Sequence, residues 1–212
     1  MIIEKFTDTY FGENTYLVAD KNTREGAVID PGGDIKDLMR YIEDNSIEVK
    51  YILLTHGHGD HIGCVPELKE ATNAQIIAHK DEQEILLDKK KNLSYSMRCG
   101  ATEFEADRYV EEKESVKIGD LKLTFLHTPG HTKGCMCIKV LNHMFTGDTL
   151  FKGSVGRSDF VGGDFNELIN SIKTKLMILD ENIRIYPGHM DSSTIGYEKL
   201  RNPFLQNEFE IF

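Results

Sequence analysis

From Thr55 to His61 the chain reads Thr-His-Gly-His-Gly-Asp-His, which packs three imidazoles and a carboxylate into six positions directly after the apolar run Tyr51-Ile52-Leu53-Leu54. Imidazole nitrogen and carboxylate oxygen are the ligands of zinc, iron and manganese sites. A polar knot at the end of a buried strand brings no packing benefit that would otherwise account for it. Three further pieces fit the same chemistry: His131 in Thr128-Pro129-Gly130-His131-Thr132, Asp148 in Thr146-Gly147-Asp148-Thr149, and His189 in Tyr186-Pro187-Gly188-His189. Each follows a strand-like stretch and sits beside a glycine, where the backbone can turn sharply. Five histidines and two aspartates are enough to hold two metal ions.

The chemistry such a set can perform is hydrolysis. A divalent ion with an open position lowers the pKa of bound water from 15.7 to about 7, and two ions roughly 3.5–4 Å apart can share the hydroxide and polarise the bond under attack. A carboxylate between the ions is the natural way to hold them close, and Asp148 stands apart from the other ligands as the candidate. His56 and His58 can reach one ion only over an irregular backbone, which Gly57 and Gly59 permit. Asp60 and His61 can then face a second ion.

The elements that must carry these residues alternate. Ile2 to Phe6, Thr15 to Ala19 and Ala27 to Ile29 read as strands, with turns at Gly12 to Asn14 and Asn22 to Gly26. Asp34 reads as the N-cap of a helix running to about Asn45, with Leu38, Met39 and Ile42 as its apolar face. Val49 to Leu54 is a strand, Ile62 to Ala71 a helix, Gln75 to Ala78 a strand and Asp81 to Leu87 a short helix. From Asp88 to about Glu114 the pattern dissolves, which suits a pocket wall over one face of the protein. Strands follow at Leu121 to Leu126, Met136 to Val140 and His143 to Thr146, then a helix from Asn166 to about Leu179. A strand from Ile183 to Tyr186 and a helix from Ser193 to Leu200 close the pattern. Strands followed by helices in two successive halves predict two sheets with helices outside, in one domain over 1–212.

At 212 residues the chain can bury a real core. A net charge of -10 repels phosphate backbones and anionic membrane surfaces, so neither nucleic acid nor membrane is expected as a partner. Bound divalent ions would offset that charge locally, where an anionic substrate docks. The N-terminus, Met1-Ile2-Ile3-Glu4-Lys5, has charges where a signal peptide needs an apolar core. No apolar run approaches the roughly 20 residues that span a bilayer. Cys64, Cys99, Cys135 and Cys137 lack disulfide-framework spacing. A reduced cytoplasmic protein, monomeric or weakly self-associating, is the expectation.

The ordered set Thr-His-x-His-x-Asp-His, Gly-His, Gly-Asp and late Gly-His resembles the metallo-β-lactamase superfamily, with all seven ligand positions filled between Thr55 and His189. The resemblance implies an α/β (α+β) fold, an αββα four-layer sandwich with the metals at one edge of the two sheets. It implies that metal one takes His56, His58 and His131. Metal two takes Asp60, His61 and His189, with Asp148 bridging and with Asp60 and Asp148 as the catalytic carboxylates. The ions are two divalent cations, zinc expected, iron or manganese the alternatives. Asp30, in Asp30-Pro31-Gly32, matches a family turn and would support the ligands from behind. Gly156-Arg157-Ser158-Asp159 and Asn202-Pro203-Phe204 make the chain similar to short glyoxalase II-like (hydroxyacylglutathione hydrolase-like) hydrolases. Two features depart from that pattern. The helical extension that binds glutathione in glyoxalase II has no counterpart in the short stretch after His189, and Cys64 stands where the family commonly has Gly.

The expected function is therefore hydrolysis of a small-molecule thioester by a metal-bridging hydroxide, with no Ser or Cys nucleophile. The rival on the same fold is a persulfide dioxygenase with one iron held by His56, His131 and Asp148. Lactone or β-lactam hydrolysis is a weaker variant, since zinc β-lactamases call for Cys where Asp148 stands. A nuclease would want a basic surface, and a flavin-partnered di-iron protein would have Glu at His58. A non-catalytic metal-binding protein is the remaining class. His79, His127 and His143 read as structural, Cys135 and Cys137 as core, and Phe204, Leu205, Phe209, Ile211 and Phe212 as a packed tail. Arg157 is a candidate for a substrate carboxylate, set against an ion pair with Asp159 or Asp164. Tyr95, Met97 and Arg98 are candidates for the pocket wall.

Overall fold

The computed structural model describes residues 1–96 and 100–206. Alternation along β2 (Asn14–Ala19) shows how the layers arise. Leu17 and Ala19 point to one side and Tyr16 and Val18 to the other, and all four are buried, so this strand has protein on both faces. It lies in a six-stranded sheet in the order β1 (Ile2–Thr7), β2, β3 (Glu25–Ile29), β4 (Glu48–Leu53), β5 (Gln75–His79), β6 (Arg108–Val110). β2 pairs antiparallel with both β1 and β3, and β3 to β6 pair in parallel. The parallel strands need crossovers. These contain α1 (Lys36–Asp44), then α2 (Gly59–Ile62) and α3 (Val65–Thr72), then a 3-10 turn at Lys80–Glu82 with α4 (Gln83–Leu86).

The second sheet is built from β7 (Ser115–Ile118), β8 (Leu121–His127), β9 (Met136–Val140) and β10 (His143–Gly147). A small hairpin follows, β11 (Leu150–Phe151) with β12 (Ser154–Val155). α5 (Phe165–Ser171), continued by a π turn at Ile172–Leu176, leads to β13 (Arg184–Pro187), β14 (Ser193–Thr194) and α6 (Ile195–Arg201). Its strand order is β14-β13-β10-β9-β8-β7, with β10 and β13 parallel.

Three buried apolar clusters separate four layers. Leu17, Leu38, Ile52 and Leu68 fill the space between the first sheet and its helices. Tyr16, Ile29, Leu53, Phe125, Ile138 and Phe145 fill the space between the sheets. Met144, Leu168, Ile172, Leu176, Ile185 and Ile195 join the second sheet to α5, the π turn and α6. This is the αββα sandwich that the resemblance implies.

Register decides where the functional loops meet. Ile29 pairs with Leu53 in parallel, so the loop after β3, with Asp30, emerges beside the loop after β4, with Thr55 to His61. Gly147 pairs with Pro187 in parallel, so Asp148 emerges beside Gly188 and His189. Loops at the carboxyl ends of parallel strands are the usual place for a site in an α/β sheet.

Several elements differ from expectation. Helix α1 begins at Lys36 behind Ile35, while Asp34 accepts the Lys36 amide through Oδ1 at 2.9 Å instead of capping the helix. The helix expected over Ile62 to Ala71 is broken at Gly63-Cys64. Pro66 has no amide to give Ile62, and a new helix restarts with the proline in its first turn. β6 and β7 lie in or just after the stretch read as irregular, and β11 and β12 have two residues each; strands this short carry no legible alternation. The long helix before β13 starts behind a true cap, Asp164 accepting the Glu167 amide at 2.9 Å, but widens into the π turn after Ser171.

Candidate metal centre

Three imidazole nitrogens face one another at the edge where the sheets meet. His131 Nε2 lies 2.9 Å from His58 Nδ1 and 3.1 Å from His56 Nε2. Nitrogens at a tetrahedral zinc site with ~2.1 Å bonds are about 3.4 Å apart, so the spacing is close to that of ligands. Beside them, His189 Nε2 lies 3.3 Å and His61 Nε2 4.0 Å from Asp60 Oδ2. Asp148 stands between the groups. Its Oδ1 is 3.3 Å from His61 Nε2, and its Oδ2 is 3.7 Å from both His131 Nε2 and His189 Nε2. The structure thus brings together all seven residues singled out from sequence.

The backs of the rings are held as well. Asp30, at φ +50°, accepts the Thr55 amide at 2.7 Å through Oδ1, and the Thr55 hydroxyl at 2.5 Å and His61 Nδ1 at 3.0 Å through Oδ2. The Arg157 carbonyl lies 2.6 Å from His131 Nδ1. A carbonyl can only accept, so Nδ1 carries the proton and Nε2 presents its lone pair to the site. Asp30→Ala is expected to weaken metal binding by roughly 10–100-fold and to leave the buried Thr55 amide unsatisfied. Titration against a chelating dye checks this, and an unchanged affinity would contradict the role.

Electrostatics divide the rings. Burial first, then the neighbouring His61 and His131 rings, hold His56 far below the ordinary imidazole value. Burial and His131 bring His58 down to about 3, and burial also lowers His131. These rings are neutral, as ligands must be. His61 goes the other way: burial opposes its charge, but Asp148 and Asp60 raise it well above the usual value. Burial would raise Asp148, yet His61, His131 and His189 hold it well below the carboxylate range. His61 Nε2 and Asp148 Oδ1, although close, are buried with no hydrogen-bond partner. Orphaned polar atoms facing each other, amid converging nitrogens, fit divalent cations.

Other ligand-type groups are explained without an ion. Asp30, His56 and His61 lie close, but both Asp30 oxygens are already occupied by donors. His79 and His127 stack 3.8 Å apart at 12° beside Asp81, so their in-plane lone pairs run side by side. His79 Nδ1 accepts from the Asp81 amide and His127 Nε2 meets the Lys133 carbonyl. His143 bonds the Tyr186 hydroxyl. Cys135 and Cys137 are buried in the core, where burial pushes the Cys137 thiol up to about 11. Half-buried Cys64 packs against the helix-side core of the first sheet.

The centre opens on a cavity of about 250 Å³ lined by His58, Asp60, His131, Asp148 and His189 together with Leu93, Phe151, Phe160 and Arg157. Arg157 is paired through two nitrogens to Asp159, at 2.9 and 2.8 Å, and lies over the Phe160 ring at 4.4 Å. The ion pair with Asp159, one of the two partners weighed for it, is the one formed. Tyr95 does not line the cavity and is 68% exposed; Leu93 of the same segment lines it instead. Met97 and Arg98 lie outside the described residues, as do Cys99, Phe209, Ile211 and Phe212. Phe204 and Leu205 pack on the core of the second sheet. Phe151, Phe160, the Arg157 carbonyl and two buried glutamates, Glu13 and Glu82, were not singled out from sequence. The nearness of Phe151 and Phe160 to Asp148 was the one available signal.

The family profile described as "Metallo-beta-lactamase superfamily" matches residues 8–189. The chain is 38% identical to a hydroxyacylglutathione hydrolase, GloC, of Haemophilus influenzae, over 98% of this chain and 100% of that one. Among solved structures it is similar to the BLEG-1 B3 metallo-β-lactamase, with TM-score 0.90, 31% identity and coverage of 97% of this chain and 100% of that one. It is also similar to TTHA1623 in a di-iron-bound form, with TM-score 0.83, 32% identity and coverage of 95% and 100%. A sandwich whose two sheets deliver seven ligand-type side chains to one edge, in the order of that family's motifs, leads to one assignment: the chain belongs to the metallo-β-lactamase superfamily.

Proposed function

We propose that the chain is a hydrolase of thioesters of the hydroxyacylglutathione type, working with two divalent ions, zinc expected and iron or manganese chemically compatible. The observation that carries this is the position of Asp148, whose two oxygens face the ligand atoms of both groups at the floor of an open cavity. His56, His58 and His131 would hold one ion and Asp60, His61 and His189 the other. When bound, such ions supply Lewis acidity and bring the pKa of water to about 7. The chain's own contribution is placement. Asp148 spans the two groups, and Asp60 lines the cavity wall, where the carboxylate oxygen not engaged by the ion would take the proton released by water. A thiolate leaves readily, so no protein nucleophile is needed.

Leu93, Phe151 and Phe160 give the cavity apolar walls, which suits a small acyl group. Arg157 lines the same cavity, and its ion pair with Asp159 is exposed, so a substrate carboxylate would compete with Asp159 for the guanidinium. The test is thiol release from a panel of 2-hydroxyacyl and simple acyl thioesters, before and after chelation, alongside a lactone, a β-lactam and a persulfide. Faster ring opening of the lactone or β-lactam would overturn the thioester reading. Oxygen uptake with the persulfide, without thiol release, would favour the single-iron alternative.

Within that panel, Phe160→Ala is expected to change kcat/KM ratios between small and bulky acyl groups by roughly 10-fold or more, the scale of one lost apolar contact set in a pocket. Metal content should stay that of the parent, and Tyr95→Ala, outside the lining, should leave the ranking intact. An unchanged ranking in Phe160→Ala would place the acyl group elsewhere.

A further inference from the structure

Glu82 ends the 3-10 turn after β5 and is completely buried, yet it forms no ion pair among the described residues. Its carboxylate is satisfied by three donors. Oε2 accepts the Gly57 amide at 2.8 Å; Oε1 accepts the Gly134 amide at 2.8 Å and the Thr132 hydroxyl. Those donors come from two loops. Gly57 lies between His56 and His58 in the loop after β4, while Thr132 follows His131 and Gly134 ends the same turn, in the loop between β8 and β9. Burying a carboxylate costs several kcal/mol, and an apolar side chain of similar size would pack there at lower cost. Burial accordingly raises Glu82 to about 7, against the pull of Thr132, Gly134 and Gly57. Both glycines make room for it. A Cβ on Gly57 would meet Glu82 Oε2 at 2.9 Å, and one on Gly134 would meet the Glu82 backbone nitrogen at 2.6 Å.

We propose that Glu82 is a positioning residue that clamps the two loops carrying His56, His58 and His131, one loop from each sheet, so that three nitrogens converge on one ion. The proposal rests on the binuclear reading above. A backbone bond, Met136 N to Thr55 O at 2.8 Å, joins the loops before His56; Glu82 supplies the links beyond it. Without the clamp, the Gly57 peptide is free to rotate and His56 and His58 lose their common aim toward His131.

Glu82→Gln keeps the volume but turns one acceptor into a donor facing donors, and Glu82→Met keeps packing without acceptors. Both are expected to weaken the binding step that His131→Ala also removes by at least ~10-fold, the scale of a lost supporting partner. The other step should stay within about threefold. In thioester assays kcat should fall with KM unchanged. In metal-free protein, hydrogen exchange at the Gly57 and Gly134 amides should accelerate together while the Thr55 amide, bonded to Asp30, keeps its protection. Parent-like binding of both ions in Glu82→Met would overturn the proposal, because packing alone would then explain the residue. So would equal weakening of both steps with amide exchange unchanged. A parent protein that binds fewer than two ions would instead remove the binuclear reading. The clamp is then decided by exchange in the metal-free parent, where slow, matched Gly57 and Gly134 amides support it and free-loop rates refute it. That same parent measurement decides the matter should neither variant fold.

Discussion

Replacing Asp148 by Ala is expected to lower kcat/KM by on the order of 10³, a larger loss than any single histidine substitution produces. Each histidine serves one group of ligands, whereas Asp148 reaches His61 through Oδ1 and both His131 and His189 through Oδ2. On the two-ion reading proposed above, removing it takes away the carboxylate placed between the cations. The repulsion between doubly charged ions is four times that of unit charges at the same distance. Kinetics of Asp148→Ala and His189→Ala at equal metal loading make the comparison. A smaller loss at Asp148 would mean that the two groups act independently and that it spans nothing.

Removal of metal is expected to abolish thioester turnover and to lower stability, with both restored by two equivalents of a divalent ion. The second effect follows from mass action. An ion that binds the folded chain but not the unfolded one stabilises it by about 4 kcal/mol at 1,000 times its Kd. Here the metal-free centre also confines Asp60, Asp148 and Asp30 with a raised His61 in a small volume, so a cation relieves a local charge imbalance. Elemental analysis, melting curves and turnover followed through chelation and reconstitution measure all three. One tightly bound ion, unchanged on supplementation, would instead support the single-iron reading. Identical melting and activity after chelation would remove metal chemistry from the proposal altogether.

The candidate ligand residues were legible because their signal is local. Imidazoles and carboxylates beside glycines, at the ends of apolar runs, are poor packing material, so their presence at Thr55 to His61, His131, Asp148 and His189 needed a chemical reason. Longer strands were legible for a similar cause, since β8 alternates over seven residues and β2 is a short apolar run bounded by turn residues. Asp30 was legible through its motif. The strands β6, β11 and β12 were not, because two or three residues have no period and their formation depends on a neighbour. The helix break at Pro66 was visible in principle, but the apolar spacing on either side masked it.

Nothing in residue spacing could show that Leu93 lines the cavity while Tyr95 stands outside it, that a main-chain carbonyl at Arg157 orients His131, or that Glu82 meets Gly57 and Gly134. Those are contacts between segments tens to more than a hundred positions apart. They depend on which strands pair and in what register: Ile29 beside Leu53 sets Asp30 against Thr55 and His61, and Gly147 beside Pro187 sets Asp148 against His189. The amino-acid order by itself determined the chemistry available and the local elements that carry it, because side-chain type and periodicity are properties of neighbouring residues. The tertiary structure alone decided which groups converge, what shapes the cavity and what braces the ligands, because convergence comes from parallel pairing and sheet-on-sheet packing, which no local pattern encodes.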